Sequence, residues 1–259
     1  MKIILSGCGG RMGREIARFV NVLEADDVIV GGVDPTRTDF SFPVVRSFSC
    51  AEQSDEFCLS TKNADVIIDF SNHAAAKDVM AYALRRKLPV VMATTGHTDG
   101  EIKLIESASR TVPVFFSANM STGVAVLAKV AKEIAKSLPE TEVEIIETHH
   151  EKKEDAPSGT AIMLAEEIGS VREGVYTVIG RRGNGKRKRG EIGVHSLRLG
   201  GEIGRHEIIF GSYNQTVTVC HEAHSRAMYA DGAIRAARFL LSKGEGLYSM
   251  KDMLTEVRE

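Results

Sequence analysis

The sequence predicts an α/β protein. An N-terminal doubly wound parallel sheet of the Rossmann type is joined to a second, α+β domain built on a mixed, mostly open-faced sheet. Three observations predict it. Up to residue 120, short apolar runs alternate with segments of helical periodicity, the order that builds a parallel sheet. After the helical pattern that begins at Ser158, strand-like runs follow one another with little helix between them. A last helical pattern, 227–241, is expected to pack back on the first domain. The domains expected are therefore 1–120 plus 227–259, and 121–226.

Composition bounds the possibilities. The 259 residues are 43% hydrophobic and 26% charged, enough for two modest domains with real cores. A net charge of −2 supplies no general attraction to nucleic acid or to a membrane surface. Cys8, Cys50, Cys58 and Cys220 are scattered without C-x-x-C or metal spacing, so no metal is expected and a reducing cytosol is the simplest compartment. The N-terminus enters a glycine loop too soon for a signal peptide, and no apolar run approaches the ~18 residues of a membrane span.

Taken in order, Lys2–Ser6 reads as a buried strand. Ile16, Phe19, Val20 and Leu23 recur at helical spacing after Gly7-Cys8-Gly9-Gly10-Arg11-Met12-Gly13. Glycines between a strand and a helix suit a dinucleotide: they permit a tight turn, close approach of backbone to pyrophosphate, and close helix–strand packing. The spacing is G-x-x-G-x-x-G (Gly7, Gly10, Gly13), with Met12 where G-x-G-x-x-G has its last glycine, and Arg11 adds a cation near the phosphates. A strand over Val28–Val33 ends at Asp34, whose carboxylate can hold a ribose diol. Arg37 can pair with a 2′-phosphate, so NADH and NADPH are both expected to serve. Cys50–Ala64 is weakly patterned, a loop or weak helix. Ala64–Ser71 is a strand, 74–87 a helix, Pro89–Ala93 a strand, Asp99–Ser109 a helix and Val114–Phe116 a strand. Ligands of parallel sheets bind at the strands' carboxyl ends. Asp34, Phe70-Ser71, Thr94-Thr95-Gly96 and Ser117-Ala118-Asn119 should therefore line one crevice, although each alone is also ordinary turn chemistry.

From Ser121 the pattern changes. A helix over Gly123–Ser137 precedes Glu142–Thr148, an alternating strand that turns Val143 and Ile145, with Ile146 a further candidate, to a core. Two adjacent imidazoles, His149 and His150, follow it, then Lys153. Pro157 and the cap Ser158 begin an amphipathic helix with Ile162, Leu164, Ala165 and Ile168 on its apolar side. N–H groups and the positive dipole end at Gly159 and Thr160 suit a carboxylate or phosphate. A side chain that titrates near neutrality, a fixed cation and an anion cradle share one loop. That loop is the candidate active site, weighed against its ordinary reading as a solvated polar turn. Strands over Val175–Ile179, Ile192–Leu199, His206–Phe210 and Gln215–His221 leave one face open, and an open face pairs with a copy of itself, so oligomerisation is expected. Arg181–Arg189 holds six basic residues and reads as a solvated hairpin or loop, since neither the net charge nor any aromatic supports a nucleic-acid patch.

These motifs together resemble the dihydrodipicolinate reductase family over nearly the whole chain. The resemblance rests on Gly7–Gly13 with Arg11-Met12, Asp69-Phe70-Ser71, Thr94-Thr95-Gly96 and Ser117-Ala118-Asn119. Above all it rests on His149-His150-x-x-Lys153-x-Asp155-Ala156-Pro157-Ser158-Gly159-Thr160, with Gly190-x-Ile192-Gly193, Gly204-x-His206 and Ser225-Arg226 beyond. Ala93 and His73 depart from it, standing where the family usually has glycine and often has proline. The resemblance implies NAD(P)H-dependent reduction of 4-hydroxy-tetrahydrodipicolinate, through its dehydrated cyclic imine, in the diaminopimelate route to lysine. It implies His149 as proton donor with Lys153 assisting. It also implies that Lys153, Ser158, the Gly159 and Thr160 N–H groups and Arg226 hold the dicarboxylate, and that His150 orients loop or ligand. Two rivals are weaker. Another two-domain nicotinamide enzyme, such as an aspartate-semialdehyde dehydrogenase, needs a thiolate that no cysteine here is placed to supply. A non-catalytic dinucleotide- or nucleic-acid-binding protein would have to use Arg181–Arg189.

Overall fold

A computed structural model of the chain describes residues 1–23, 26–36 and 39–256. Its elements begin with β1 (Lys2–Ser6), α1 (Arg11–Leu23), β2 (Val28–Val33), β3 (Val44–Val45), α2 (Asp55–Ser60) and β4 (Val66–Asp69). There follow α3 (Ala76–Arg86), β5 (Val90–Met92), α4 (Asp99–Ala108), β6 (Pro113–Phe116), α5 (Thr122–Ser137) and β7 (Glu142–His149). Then come α6 (Gly159–Gly169), β8 (Tyr176–Ile179), β9 (Glu191–Arg198), β10 (Arg205–Gly211) and β11 (Thr216–Glu222). The chain closes with α7 (Ala227–Leu240), β12 (Gly246–Tyr248) and α8 (Met250–Glu256). It forms two compact units, Met1–Ser121 with Arg226–Glu259, and Thr122–Ser225. Ser121 and Arg226 thus belong to the first unit, Arg226 as the residue that caps α7.

The first unit is a seven-stranded, wholly parallel sheet in the order β12-β6-β5-β4-β1-β2-β3. The chain winds outward from β1 through β2 to β3, then returns beside β1 with β4 and winds the other way. The switch point lies between β1 and β4. Ile4, Ile67, Val90, Met92 and Val114 from the strands pack with Val79 and Met80 of α3 in its core. Each such side chain stabilises by about 1.5–3 kcal/mol. Helix α7 lies on this sheet against α1. Two strands escaped the sequence reading because they are too short to show a period, β3 and β12. Cys50–Ala64 is more ordered than expected: a 3-10 turn, Phe48–Gln53, leads into α2, whose cap Ser54 accepts from the Phe57 N–H at 3.3 Å.

The second unit is a five-stranded sheet in the order β11-β10-β7-β9-β8. Central β7 runs antiparallel to β10 and parallel to β9, and β8 is also parallel to β9, so the sheet is evenly mixed. Parallel neighbours cannot be joined by a hairpin. The Arg181–Arg189 segment is therefore a crossover loop, and it is partly tied down: Arg181 pairs with Glu191 at 2.5 Å, while Arg187 pairs with Glu144 and donates to the Val143 carbonyl at 3.0 Å. One face of the sheet places Val143, Ile145, Ile192, Val194, Ile208 and Phe210 in a core with α5 and α6. Ile146 is half-buried and lies on the opposite face, as strict alternation along β7 requires.

Candidate active site

Alternation along β7 sets the site. Val143 and Ile145 face the helix-covered core, and two more steps of the same period bring Glu147 and His149 to the same face. Register places Ser196 of β9 and His206 of β10 on either side of Glu147, and Arg198 beside His149. The apolar face of the sheet thus becomes polar at one end. Glu147 is wholly buried there and nearly saturated with donors. Arg198 grips it bidentately, each guanidinium N–H at 3.0 Å, the Ser158 N–H donates at 3.1 Å, and His149 Nδ1 lies 2.5 Å from Oε2. Burial alone would raise this carboxyl, but Arg198, Ser196, His149 and the Ser158 N–H together hold it at about 2. Burial pushes the His149 imidazole below its ordinary value, against the pull of Glu147. His206 meets the His149 ring edge-on at 5.2 Å and shares a hydrogen bond of 3.2 Å with Ser158 Oγ. Its burial, reinforced by the neighbouring His149, brings it down to about 4.

The loop after β7 returns to the same end of the sheet. The Leu199 N–H donates to the His149 carbonyl at 2.8 Å, and Arg198 also donates to the Asp155 carbonyl at 2.6 Å. Lys153 Nζ pairs with both oxygens of Asp155, at 2.7 and 2.9 Å, and its backbone N–H donates to the His150 carbonyl. Ser158 begins α6 as expected, its Oγ accepting from the Ala161 N–H at 3.2 Å. Around Gly159 the space is open, with nothing within 4 Å of where a Cβ would stand. An imidazole backed by a carboxylate, a lysine and a helix N-terminus therefore share one end of the unit. Such a group can exchange a proton beside a bound anion.

In the first unit the strand ends are laced together by backbone hydrogen bonds. Gly7 donates to Val33 at 2.8 Å, Phe70 to Ser6 at 3.0 Å, Ala93 to Asp69 at 3.0 Å and Ser117 to Met92 at 3.2 Å. The Gly7–Gly13 turn, Phe70-Ser71, Thr94-Thr95-Gly96 and Ser117-Ala118-Asn119 consequently line one edge. Gly7 has φ +76°, and a Cβ there would stand 2.6 Å from the Phe70 carbonyl oxygen. Helix α1 starts at Arg11, so Gly13 lies in its first turn, where a Cβ would overlap the Gly7 carbonyl. The glycines thus seat the helix start directly on the strand, leaving its first N–H groups at the switch point, with Arg11 exposed beside them. This is a cradle that fits a dinucleotide pyrophosphate. Asp34 differs from expectation in one respect: its carboxylate already accepts from the Gly9 N–H at 2.9 Å and from the Thr36 N–H and hydroxyl at 2.9 and 2.5 Å. It holds the turn closed before any ribose arrives. Arg37 lies outside the described residues. Asp69, buried beneath this edge, accepts from Ser71 and Thr94 hydroxyls, each at 2.6 Å, and burial raises its carboxyl.

The family model for the N-terminus of dihydrodipicolinate reductase matches residues 1–120, and that for its C-terminus matches residues 123–254. The chain belongs to the dihydrodipicolinate reductase family. It is 41% identical over 258 residues to the 4-hydroxy-tetrahydrodipicolinate reductase of Caldanaerobacter subterraneus subsp. tengcongensis, covering 98% of both chains. To the Rickettsia bellii enzyme of the same name it is 40% identical over 252 residues, covering 97% of this chain and 94% of that one. Its fold superposes with a TM-score of 0.77 on dipicolinate-bound dihydrodipicolinate reductase from Paenisporosarcina sp. TG-14, at 25% identity, covering 96% of this chain and 97% of that one.

The second unit gathers His149, His150, Lys153, Ser158, Gly159 and Thr160 around β7 and α6. Arg226 belongs to the first unit. The described cysteines are free thiols, and Cys8, under the glycine turn, is pushed up to about 12 by burial and by Asp34, which suits packing and not nucleophilic attack. Among the described residues no cluster of His, Cys, Asp or Glu is placed to hold a metal ion, and no helix is long and apolar enough to cross a membrane. Glu147, Arg198 and His206 were missed as site residues by sequence reasoning. One signal was available: Glu147 occupies a core-facing step of a strand whose previous two such steps are Val143 and Ile145, and a charge there requires partners.

Proposed function

We propose that this protein is an NAD(P)H-dependent reductase of 4-hydroxy-tetrahydrodipicolinate, acting on its dehydrated cyclic imine in diaminopimelate and lysine biosynthesis. The observation that carries this reading is the carboxylate-backed imidazole His149 at the end of β7, in a loop that also bears Lys153 and the Ser158 cap of α6. A reduced nicotinamide supplies the hydride, which leaves an enamine-like anion on the substrate ring. The adjacent carbon then needs a proton, and His149 delivers it. Lys153 exchanges its pairing with Asp155 for a substrate carboxylate, and the N-terminus of α6 receives charge from the same group. Ser158 shapes this loop, His150 orients it, and Arg226 holds the second carboxylate. The first unit carries the cofactor on the Gly7–Gly13 turn, with Asp34 toward the ribose and Arg37 toward a 2′-phosphate. The second unit carries the substrate, and the open face of its sheet joins copies into a homotetramer in a reducing cytosol.

The test is an assay with enzymatically generated 4-hydroxy-tetrahydrodipicolinate, following nicotinamide absorbance with NADH and with NADPH separately. Turnover with either is expected. Absence of oxidation with both, under conditions where a related reductase turns over, would overturn the reading.

A further inference from the structure

We infer that Glu147 is a positioning residue for the reaction: clamped by Arg198 of β9 and by the Ser158 N–H, it fixes His149 through Nδ1, so that Nε2 is the nitrogen that gives up the proton. This rests on the reading of His149 as proton donor and adds to it which atom acts and what holds it.

Donor and acceptor roles fix the tautomer of His149. Glu147 takes both guanidinium N–H groups of Arg198, at 3.0 Å each, and the Ser158 N–H at 3.1 Å. These donors keep it ionised, and an ionised carboxylate only accepts. At 2.5 Å from Glu147 Oε2, His149 Nδ1 must therefore carry hydrogen. The neutral ring is then the Nδ1–H tautomer with its lone pair on Nε2, and the charged ring differs from it by a proton on Nε2. That is the proton available for transfer. The far side of the ring agrees, because a Cβ built on Gly204 would stand 3.1 Å from Nε2, and glycine there keeps a side chain off the reactive nitrogen.

The surroundings explain why a carboxylate is needed at a core-facing position. The groups facing His149 are Glu147 on its own strand, Arg198 on β9, His206 on β10 and Lys153 in the following loop. Arg198 and Lys153 disfavour a positive charge on the ring, and so does burial. Glu147 is the contact that favours it. Arg198 in turn is held by Glu147 and the Asp155 carbonyl, so β9 reaches the imidazole through the carboxylate.

Glu147→Gln separates this role from a structural one. The amide keeps the size and can still accept from Nδ1–H, but the charge is gone and the ring holds its Nε2 proton less tightly. The limb of kcat that reports the protonated donor should move at least one unit toward lower pH. At pH 7.5 kcat should drop tenfold or more, with KM nearly unchanged, and lowering the pH should recover much of the loss. Nitrogen chemical shifts of His149, read by NMR in the unmodified protein and the variant, supply the second readout. The unmodified protein should show the Nδ1–H tautomer above the ring's titration, and the variant's titration should move down with the kinetic limb. An Nε2–H tautomer in the unmodified protein would overturn the inference whether or not the variant folds, and so would an unshifted His149 titration in Glu147→Gln. A shifted titration with an unmoved kinetic limb would leave Glu147's hold on His149 intact and remove His149 as the donor.

Discussion

At the scale of single residues, two buried groups make the fold sensitive to acid in separate steps. The Glu147 carboxyl is brought from 4.5 to about 2, and the His206 imidazole from 6.5 to about 4. Both folded values are depressed, so in each case the native state binds its proton less readily than the unfolded chain. Their stabilisation is present above the unfolded value and is lost as pH falls through the folded one. Stability should therefore decline between about pH 6.5 and 4 through His206, and further between about 4.5 and 2 through Glu147, each by roughly 3 kcal/mol. Urea midpoints measured from pH 7.5 to 3 check this: His206→Gln should lessen the decline in the upper part, where the depressed His149 imidazole also contributes, and leave the lower part alone, and a profile left unchanged by it would remove His206 as a cause. Chemistry at the same end of the sheet predicts a different pattern. His149→Gln should lower kcat by roughly a hundredfold or more with little change in KM, whereas Lys153→Ala should damage both and His150→Gln should be milder than either. Nearly normal kcat in His149→Gln at neutral pH would take the proton-donor role away from it.

At the scale of elements, the β1–α1 turn depends on how closely backbone approaches backbone. Gly7 combines φ +76° with a site where a Cβ would stand 2.6 Å from the Phe70 carbonyl oxygen. Gly96 shares the positive φ, +82°, but has nothing within 4 Å. Gly7→Ala should therefore cost roughly 2–4 kcal/mol, and Gly96→Ala about 1 kcal/mol, from backbone strain alone. Thermal unfolding of the protein without cofactor compares them, and equal losses would mean that contact with the Phe70 strand end is not what Gly7 avoids. The β2 end predicts cofactor choice. With Asp34 and Arg37 at the ribose as proposed, the carboxylate would repel a 2′-phosphate and the guanidinium would attract it, so both cofactors should work and Arg37→Ala should raise KM for NADPH selectively. An equal effect on NADH would place Arg37 away from the ribose.

At the scale of the whole molecule, a substrate with two carboxylates should be distinguished from a ligand with one. Pyridine-2,6-dicarboxylate carries carboxylates on both sides of its ring nitrogen, as the proposed substrate does, and should compete with it. Pyridine-2-carboxylate leaves one set of donors unpaired, at a cost of about 2–4 kcal/mol, or roughly thirtyfold to a thousandfold in affinity. Arg226→Ala should weaken the dicarboxylate strongly and the monocarboxylate far less, because the two losses share one contact. Calorimetry of both acids with NADH present reads the difference, and equal binding of the two to the unmodified protein would sink the two-carboxylate site.

Much of this protein is written locally. The alternation of apolar runs and helical periods determined a parallel sheet, because each strand and helix declares itself within a few residues. The glycines after Lys2–Ser6 determined where a helix could sit close on a strand, and Ser158 determined where α6 begins. The His149–Lys153–Ser158 loop was legible for the same reason: its residues are neighbours in the chain. Tertiary structure alone decided that Glu147, Arg198 and His206 meet, since they come from three strands whose order and register no local spacing encodes. It decided that Asp34 closes its own glycine turn, a contact across 25 residues of chain. It also decided that β3 and β12 complete the first sheet, because two or three residues hold no period and become strands only when a neighbour's open edge pairs with them. Local patterns specify which face of an element is apolar. Pairing between distant elements specifies which polar groups are buried together, and the chemistry proposed for this protein resides in those groups.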